Sequence, residues 1–145
     1  MFNTILVPTD GSDLSDKAIL AAVDFAKLNG GSLVAISVRE PYPYSPLMEG
    51  GALVDAGAYE KEVRTLTLKN VQKVADAAAS KGVACVTHVA ESSNPFEEIV
   101  LAAQQFNCDI IFMASHGRKG LSRLFIGSET QKVLAHTTIP VLVFR

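Results

Sequence analysis

The sequence predicts an α/β fold: one domain, residues 1–145, built on an open parallel five-stranded sheet with helices on both faces, of the Rossmann-like kind. Three observations predict it. Short apolar, β-branched runs alternate with longer segments whose apolar residues recur at helical spacing. Glycine, proline and asparagine fall at the junctions between them. With 145 residues, 48% of them hydrophobic, the chain has the length of one domain and enough apolar surface for a substantial core.

The elements follow in order. Thr4-Ile5-Leu6-Val7 is a short apolar run that ends at Pro8 and reads as a buried parallel strand. Ser12 to Asn29 reads as a helix, with Ile19, Ala22, Val23 and Ala26 on one face and Gly30-Gly31 as its stop. Leu33 to Val38 is a second strand. Glu40 to about Val54 holds Pro41, Pro43, Pro46, Gly50 and Gly51 and reads as a long loop. A helix from about Asp55 to Lys81 buries Val71, Val74, Ala75 and Ala78, and Gly82 ends it. Val83 to Val89 is a third strand. Asn94-Pro95-Phe96-Glu97 starts a helix, with Asn as N-cap, Pro first and Glu third. Phe96, Ile99, Val100 and Ala103 form its apolar face. Asp109 to Met113 is a fourth strand, Ser128 to about His136 a short helix, and Val141-Leu142-Val143-Phe144 a final strand.

The net charge of -2, with acids and bases spread along the chain, points to neither nucleic acid nor a membrane surface as partner. No apolar run approaches the ~20 residues of a membrane span. The first residues lack the basic region of a signal peptide, so a soluble cytoplasmic domain is expected. Cys85 and Cys108 have no metal-motif spacing, sit in apolar surroundings, and are expected reduced and buried.

Ligands of open parallel sheets bind beyond the carboxyl ends of the strands, where the strand order reverses. Two loops have the chemistry for it. Pro8-Thr9-Asp10-Gly11-Ser12-Asp13 follows the first strand and carries acids, which suit a helix N-terminus and repel phosphate. Ala114 to Ser128 follows the fourth strand with His116, Arg118, Lys119, Arg123 and three glycines, and no acid. Close glycine backbone, cations and the free amides of a helix start make an anion site. A nucleotide would then lay its phosphates on the second loop and leave Asp10 to ribose hydroxyls or a base.

Each piece has a plainer account. Ser128-Glu129-Thr130-Gln131 is also a capping box. Gly117, Gly120 and Gly127 serve as turn glycines, the basic residues as a solvated face, His116 as a structural histidine and Asp10 as a helix cap. Glu129 stands against an anion pocket beside it unless its carboxylate points away. The coincidence of these pieces at two strand ends favours a site.

The chain resembles the universal stress protein family over essentially its full length. The family's nucleotide-binding members carry Gly-x2-Gly-x9-Gly-(Ser/Thr) after strand four. Here Ala114-Ser115-His116-Gly117 is followed by nine residues, Arg118 to Ile126, and then Gly127-Ser128. Pro8-Thr9-Asp10 and Pro140-Val141-Leu142-Val143 match the family's start and end. Ala114 departs from the pattern, which has glycine there. Alanine adds a methyl group and disfavours positive φ.

The resemblance implies ATP, or AMP or ADP, in the crevice between strands one and four, with Mg2+ as a companion of the phosphates. It implies Pro8, Thr9, Asp10 and Val38 at the adenine and ribose end, Val38 through its backbone. Gly117, Gly127 and Ser128 are implied at the phosphates, within a binding stretch of Ala114, Ser115, His116, Gly117, Arg118, Gly127, Ser128, Glu129 and Thr130. It also puts the final strand at a sheet edge, where an apolar strand invites a homodimer. Two functions remain open: a nucleotide-dependent regulatory protein of the stress response, and a dimeric interaction module of the same fold with no nucleotide. No enzyme is expected, since the sequence has no P-loop, nucleophile elbow, His-Glu-x-x-His or Cys-rich metal set.

Overall fold

The computed structural model describes residues 2–41, 56–117 and 126–145. Its elements are β1 (Thr4–Pro8), α1 (Asp13–Asn29), β2 (Ser32–Arg39), α2 (Ala56–Ser80), β3 (Cys85–Glu91), α3 (Pro95–Gln105), β4 (Ile110–Ala114), α4 (Ser128–His136) and β5 (Val141–Phe144). The long loop expected from Glu40 to Val54 lies, beyond Pro41, outside the described residues.

The five strands form one sheet in the order β3-β2-β1-β4-β5, and every pairing is parallel. The chain runs outward from β1 to β3, then crosses back to β4 and runs outward the other way. The reversal lies between β1 and β4, so the carboxyl ends of those two strands open a crevice.

Period-two alternation explains the two cores. Ile5 and Val7 of β1, Leu33 and Ala35 of β2, and Phe112 of β4 face one side. They meet Ile19, Val23 and Ala26 of α1 and Val71, Val74 and Ala78 of α2. Leu6, Val34, Ile36, Ile111 and Met113 face the other side and meet Ile99, Ala102 and Ala103 of α3 and Val133 of α4. A strand covered on both faces must be apolar throughout, which is why β1 and β4 read as unbroken apolar runs.

Three local expectations change. The third strand starts at Cys85 rather than Val83. Gly82, at φ 72°, turns the chain so that the Val83 amide donates to Ala78 O at 2.9 Å, closing α2. Val83 is buried as an apolar plug behind that helix end, not as a ladder residue. Asn94 is the N-cap of α3, as expected, but its side chain makes no cap bond. Cys85 is only half-buried, on the β3 edge, whereas Cys108 is buried; both are free thiols. Burial pushes the Cys108 thiol up to about 11, with Asp109 adding to the shift.

Candidate functional site

A cleft of about 550 Å³ lies at the carboxyl ends of β1 and β4, within the range of small-molecule sites. Pro8 lines it from the end of β1, Thr9 and Asp10 from the loop that follows, and Val38 from the end of β2. Ala114, His116 and Gly117 line it from the end of β4, and Gly127, Ser128, Glu129 and Thr130 from the start of α4. These are the predicted site residues with two exceptions. Ser115 is fully buried and outside the cleft wall. Arg118, like Lys119, Gly120 and Arg123, lies outside the described residues.

The loop after β1 is held by its own side chains. The Thr9 amide donates to Ile36 O at 2.9 Å, and Thr9 Oγ1 meets Ser15 Oγ at 3.1 Å and accepts from the Gly11 amide at 3.2 Å. Ser12, not Asp10, is the N-cap of α1 and accepts from the Ser15 amide. Asp10 Oδ1 instead accepts from the Ser12 amide at 3.0 Å. Its other oxygen lies over Gly117: a Cβ built on Gly117 would stand 2.6 Å from Asp10 Oδ2. The two loops therefore meet through the Asp10 side chain, and a larger residue at 117 would make that carboxylate shift.

The joint between β4 and α4 is built on Ser115. Its amide donates to Phe144 O at 2.7 Å. Its carbonyl accepts from the Gly127 amide at 2.7 Å and from Thr130 Oγ1 at 3.3 Å, and Thr130 Oγ1 also reaches Ala114 O at 3.0 Å. Its hydroxyl is hydrogen-bonded to His116 Nδ1 at 2.8 Å. His116 Nε2 is buried and, among the described residues, has no partner.

Gly127 is the N-cap of α4, at φ -61° and ψ 154°, a conformation open to any residue. Glycine is needed there for space: a Cβ would stand 2.9 Å from Ser115 O. Its amide is occupied by that same carbonyl, so Gly127 offers a ligand proximity rather than a donor. Ser128 is then the first helical residue, and the expected capping box does not form. Gln131 Nε2 donates to Ile126 O at 2.6 Å instead. The first-turn amides of Ser128, Glu129 and Thr130 have no acceptor within the helix, as at any helix start. All three residues line the cleft.

The carboxylate of Glu129 does not stand against this arrangement. Its Oε2 accepts from the Phe96 amide at 3.0 Å, and its Oε1 accepts from Lys132 Nζ at 2.9 Å. The departure at Ala114 also loses part of its weight. Ala114 is a β4 residue paired with Phe144, and among the described residues only Asn107 combines a side chain with positive φ. Alanine is therefore unstrained there, and only its methyl group distinguishes it from glycine.

The cleft also takes in residues that no motif marked. Ser15, Ile36 and Met113 form its floor, and Ser93, Pro95 and Ile99 bring in the α3 side. The only signal for the last three was the helix start at Pro95, which carries no information about which sheet face α3 covers. Among the described residues, no group of three or more His, Cys, Asp or Glu side chains is placed to hold a metal ion. No helix there is long and apolar enough to cross a membrane.

A doubly wound parallel sheet with its crevice at the β1/β4 reversal, closed by a glycine-spaced joint and a helix start, defines a Rossmann-like α/β protein with a cleft at the switch point. Within that class the chain belongs to the universal stress protein family, whose model matches residues 1–145. The universal stress protein YxiE of Bacillus subtilis is 35% identical, with all of both chains covered. The structure of MJ0577, a universal stress protein of Methanocaldococcus jannaschii, superposes with a TM-score of 0.82 at 24% identity, covering 99% of this chain and 96% of the other. A universal stress protein from Archaeoglobus fulgidus in complex with dAMP superposes with a TM-score of 0.72 at 16% identity, covering 100% and 98% of the two chains.

Proposed function

We propose that this protein binds an adenine nucleotide, ATP or its mono- or diphosphate, in the β1/β4 cleft and acts as a nucleotide-dependent regulatory protein of the stress response. The observation that carries the reading is the pair of close approaches at Gly117 and Gly127. A Cβ would meet the Ser115 carbonyl at Gly127 and the Asp10 carboxylate at Gly117, two approaches on either side of a groove between an acidic loop and a helix start. The first-turn amides of α4 and Ser128 suit phosphate oxygens. Asp10, an acceptor at the other end, suits ribose hydroxyls or a base, and the apolar floor of Ile36 and Met113 suits a base ring. The dAMP complex of the Archaeoglobus relative, a protein of the same fold, supports an adenine ligand. Any Mg2+ would ride on the phosphates. The reading is a cytoplasmic ligand-binding domain whose own residues bind and orient, not an enzyme; the Ser115 hydroxyl that meets His116 Nδ1 is fully buried and outside the cleft wall.

The assembly proposed is a homodimer through β5, which stands at the sheet edge with Leu142 half-exposed. An apolar edge strand antiparallel to its mate would satisfy unpaired backbone groups and bury side chains. Light scattering of Val141→Lys and Val143→Lys tests it: a monomeric wild type, or a dimer indifferent to both changes, sinks the interface. The ligand is tested by mass spectrometry of the small molecules released on denaturing freshly purified protein, followed by calorimetric titration. An adenine nucleotide near stoichiometric amount is expected. Nothing recovered and no heat on titration would leave an interaction module of the same fold.

A further inference from the structure

We propose that Glu129 is a positioning residue for the phosphate end of the cleft, acting by capping α3 from α4; the inference rests on the nucleotide reading above. The helix α3 begins with Pro95, which has no N–H, so Phe96 presents its first free amide. The local candidate for a cap, Asn94, makes no side-chain bond to the helix. The acceptor comes instead from 33 residues away, as Glu129 Oε2 at 3.0 Å.

Glu129 is held in that pose from its own helix. Lys132 Nζ donates to Oε1 at 2.9 Å and stands 5.3 Å from the centre of the Phe96 ring. The His136 ring packs on the same Phe96 ring at 4.9 Å between centroids. Glu129, Lys132 and His136 thus form one face of α4 closed around the first turn of α3.

The consequence concerns the cleft. Glu129 stands in the first turn of α4, among the residues lining the cleft where phosphate would lie, while its side chain caps the start of α3; Pro95 and the preceding Ser93 line the same cleft. A carboxylate at a helix N-terminus beside a lysine is compensated by dipole and cation. The acid that seemed to spoil an anion site is engaged in setting the distance between its walls. The coupling should be felt by a ligand with phosphates and not by one without.

Glutamine and alanine at 129 both remove the charge, and only glutamine keeps an oxygen for the Phe96 amide. Calorimetric titration of ATP and of adenosine into wild type, Glu129→Gln and Glu129→Ala therefore isolates the cap. Adenosine should bind all three alike. ATP should bind Glu129→Gln at least as tightly as wild type and Glu129→Ala about fivefold more weakly than Glu129→Gln, the scale of one lost helix cap. Exchange of the Phe96 amide should slow on adding ATP to wild type and Glu129→Gln, and not to Glu129→Ala. If alanine prevents folding, Glu129→Asp serves. Its shorter carboxylate keeps the charge and stops short of Phe96, so ATP should weaken and adenosine should not. Equal ATP affinity in the glutamine and alanine variants, or an adenosine loss as large as the ATP loss, overturns the inference while the nucleotide reading stands. A wild type that binds neither ligand removes the nucleotide reading and the inference with it.

Discussion

Gly127→Ala is the smallest change that should disable the cleft. The added Cβ would stand 2.9 Å from Ser115 O and 3.5 Å from His116 Cα. Ordinary carbon contacts lie at roughly 3.5–4.0 Å, so the chain must open by about half an ångström or more. The obstacle is backbone, and it is the same carbonyl that holds the Gly127 amide at 2.7 Å and Thr130 Oγ1 at 3.3 Å. The strain cannot be relieved by turning a side chain; the start of α4 must move off the end of β4. Overpacking of this kind costs about 1–3 kcal/mol. If a ligand needs the original spacing, affinity falls by roughly fivefold to a hundredfold. Calorimetric titration with ATP measures it, and a circular dichroism melt reports the fold. The control is Gly82→Ala. Gly82 has φ 72° and nothing within 4 Å of a built Cβ, far from the cleft. That change should cost about 1 kcal/mol of stability through backbone strain alone and leave affinity unchanged. Wild-type ATP affinity in Gly127→Ala, or equal affinity losses in the two variants, would refute the argument from space.

Gly117→Ala should weaken ATP binding by driving Asp10 Oδ2 from its place, and most of that loss should vanish in an Asp10→Ala background; strictly additive losses in a double-mutant cycle would show that the two loops do not meet there. Ala114→Gly should change ATP affinity by no more than about twofold, because alanine is unstrained in β4, and should lower the melting temperature as glycine does in a strand; a large gain in affinity would show that the methyl group crowds the ligand. The Asp109 carboxyl is held below the usual carboxylate range by the amides of Thr4 and Asn3, which donate to Oδ2 at 2.9 and 2.8 Å. A depressed folded value gives stability above the unfolded value that is lost as pH falls through the folded one. Asp109→Asn should therefore melt below wild type at pH 7, with the gap closing below about pH 4; a constant gap from pH 7 to pH 3 would refute it.

The sequence made the helices and strands legible wherever burial imposed a period. Ile19, Val23 and Ala26 had to share a face because α1 has one sheet to cover. It was less informative where two accounts satisfy the same local rule. Val83 is as apolar as a strand residue and is buried, yet a left-handed Gly82 assigns it to the helix end. Ser128 begins a sequence that caps helices, yet Gly127 takes the cap because the Ser115 carbonyl fixes its amide. The glycine spacing marked one close backbone approach, at Gly127, where a Cβ would meet the Ser115 carbonyl. The direction of Glu129 was not legible, because its partner Phe96 lies on another helix and no short-range pattern links them. The same holds for Ser93 and Pro95, which reach the cleft only through the packing of α3.

The Ser115 joint has a consequence for handling the molecule. Asn3 and Thr4 are clamped to Asp109, at the amino ends of β1 and β4, on the far side of the sheet from the cleft. Phe144, by contrast, gives its carbonyl to the amide of Ser115, the residue whose own carbonyl seats α4. Arg145 follows directly. A purification handle fused ahead of Phe2 hangs from the quiet end of the sheet. One fused behind Arg145 is attached beside a strand that is a single hydrogen bond from the Ser115 joint.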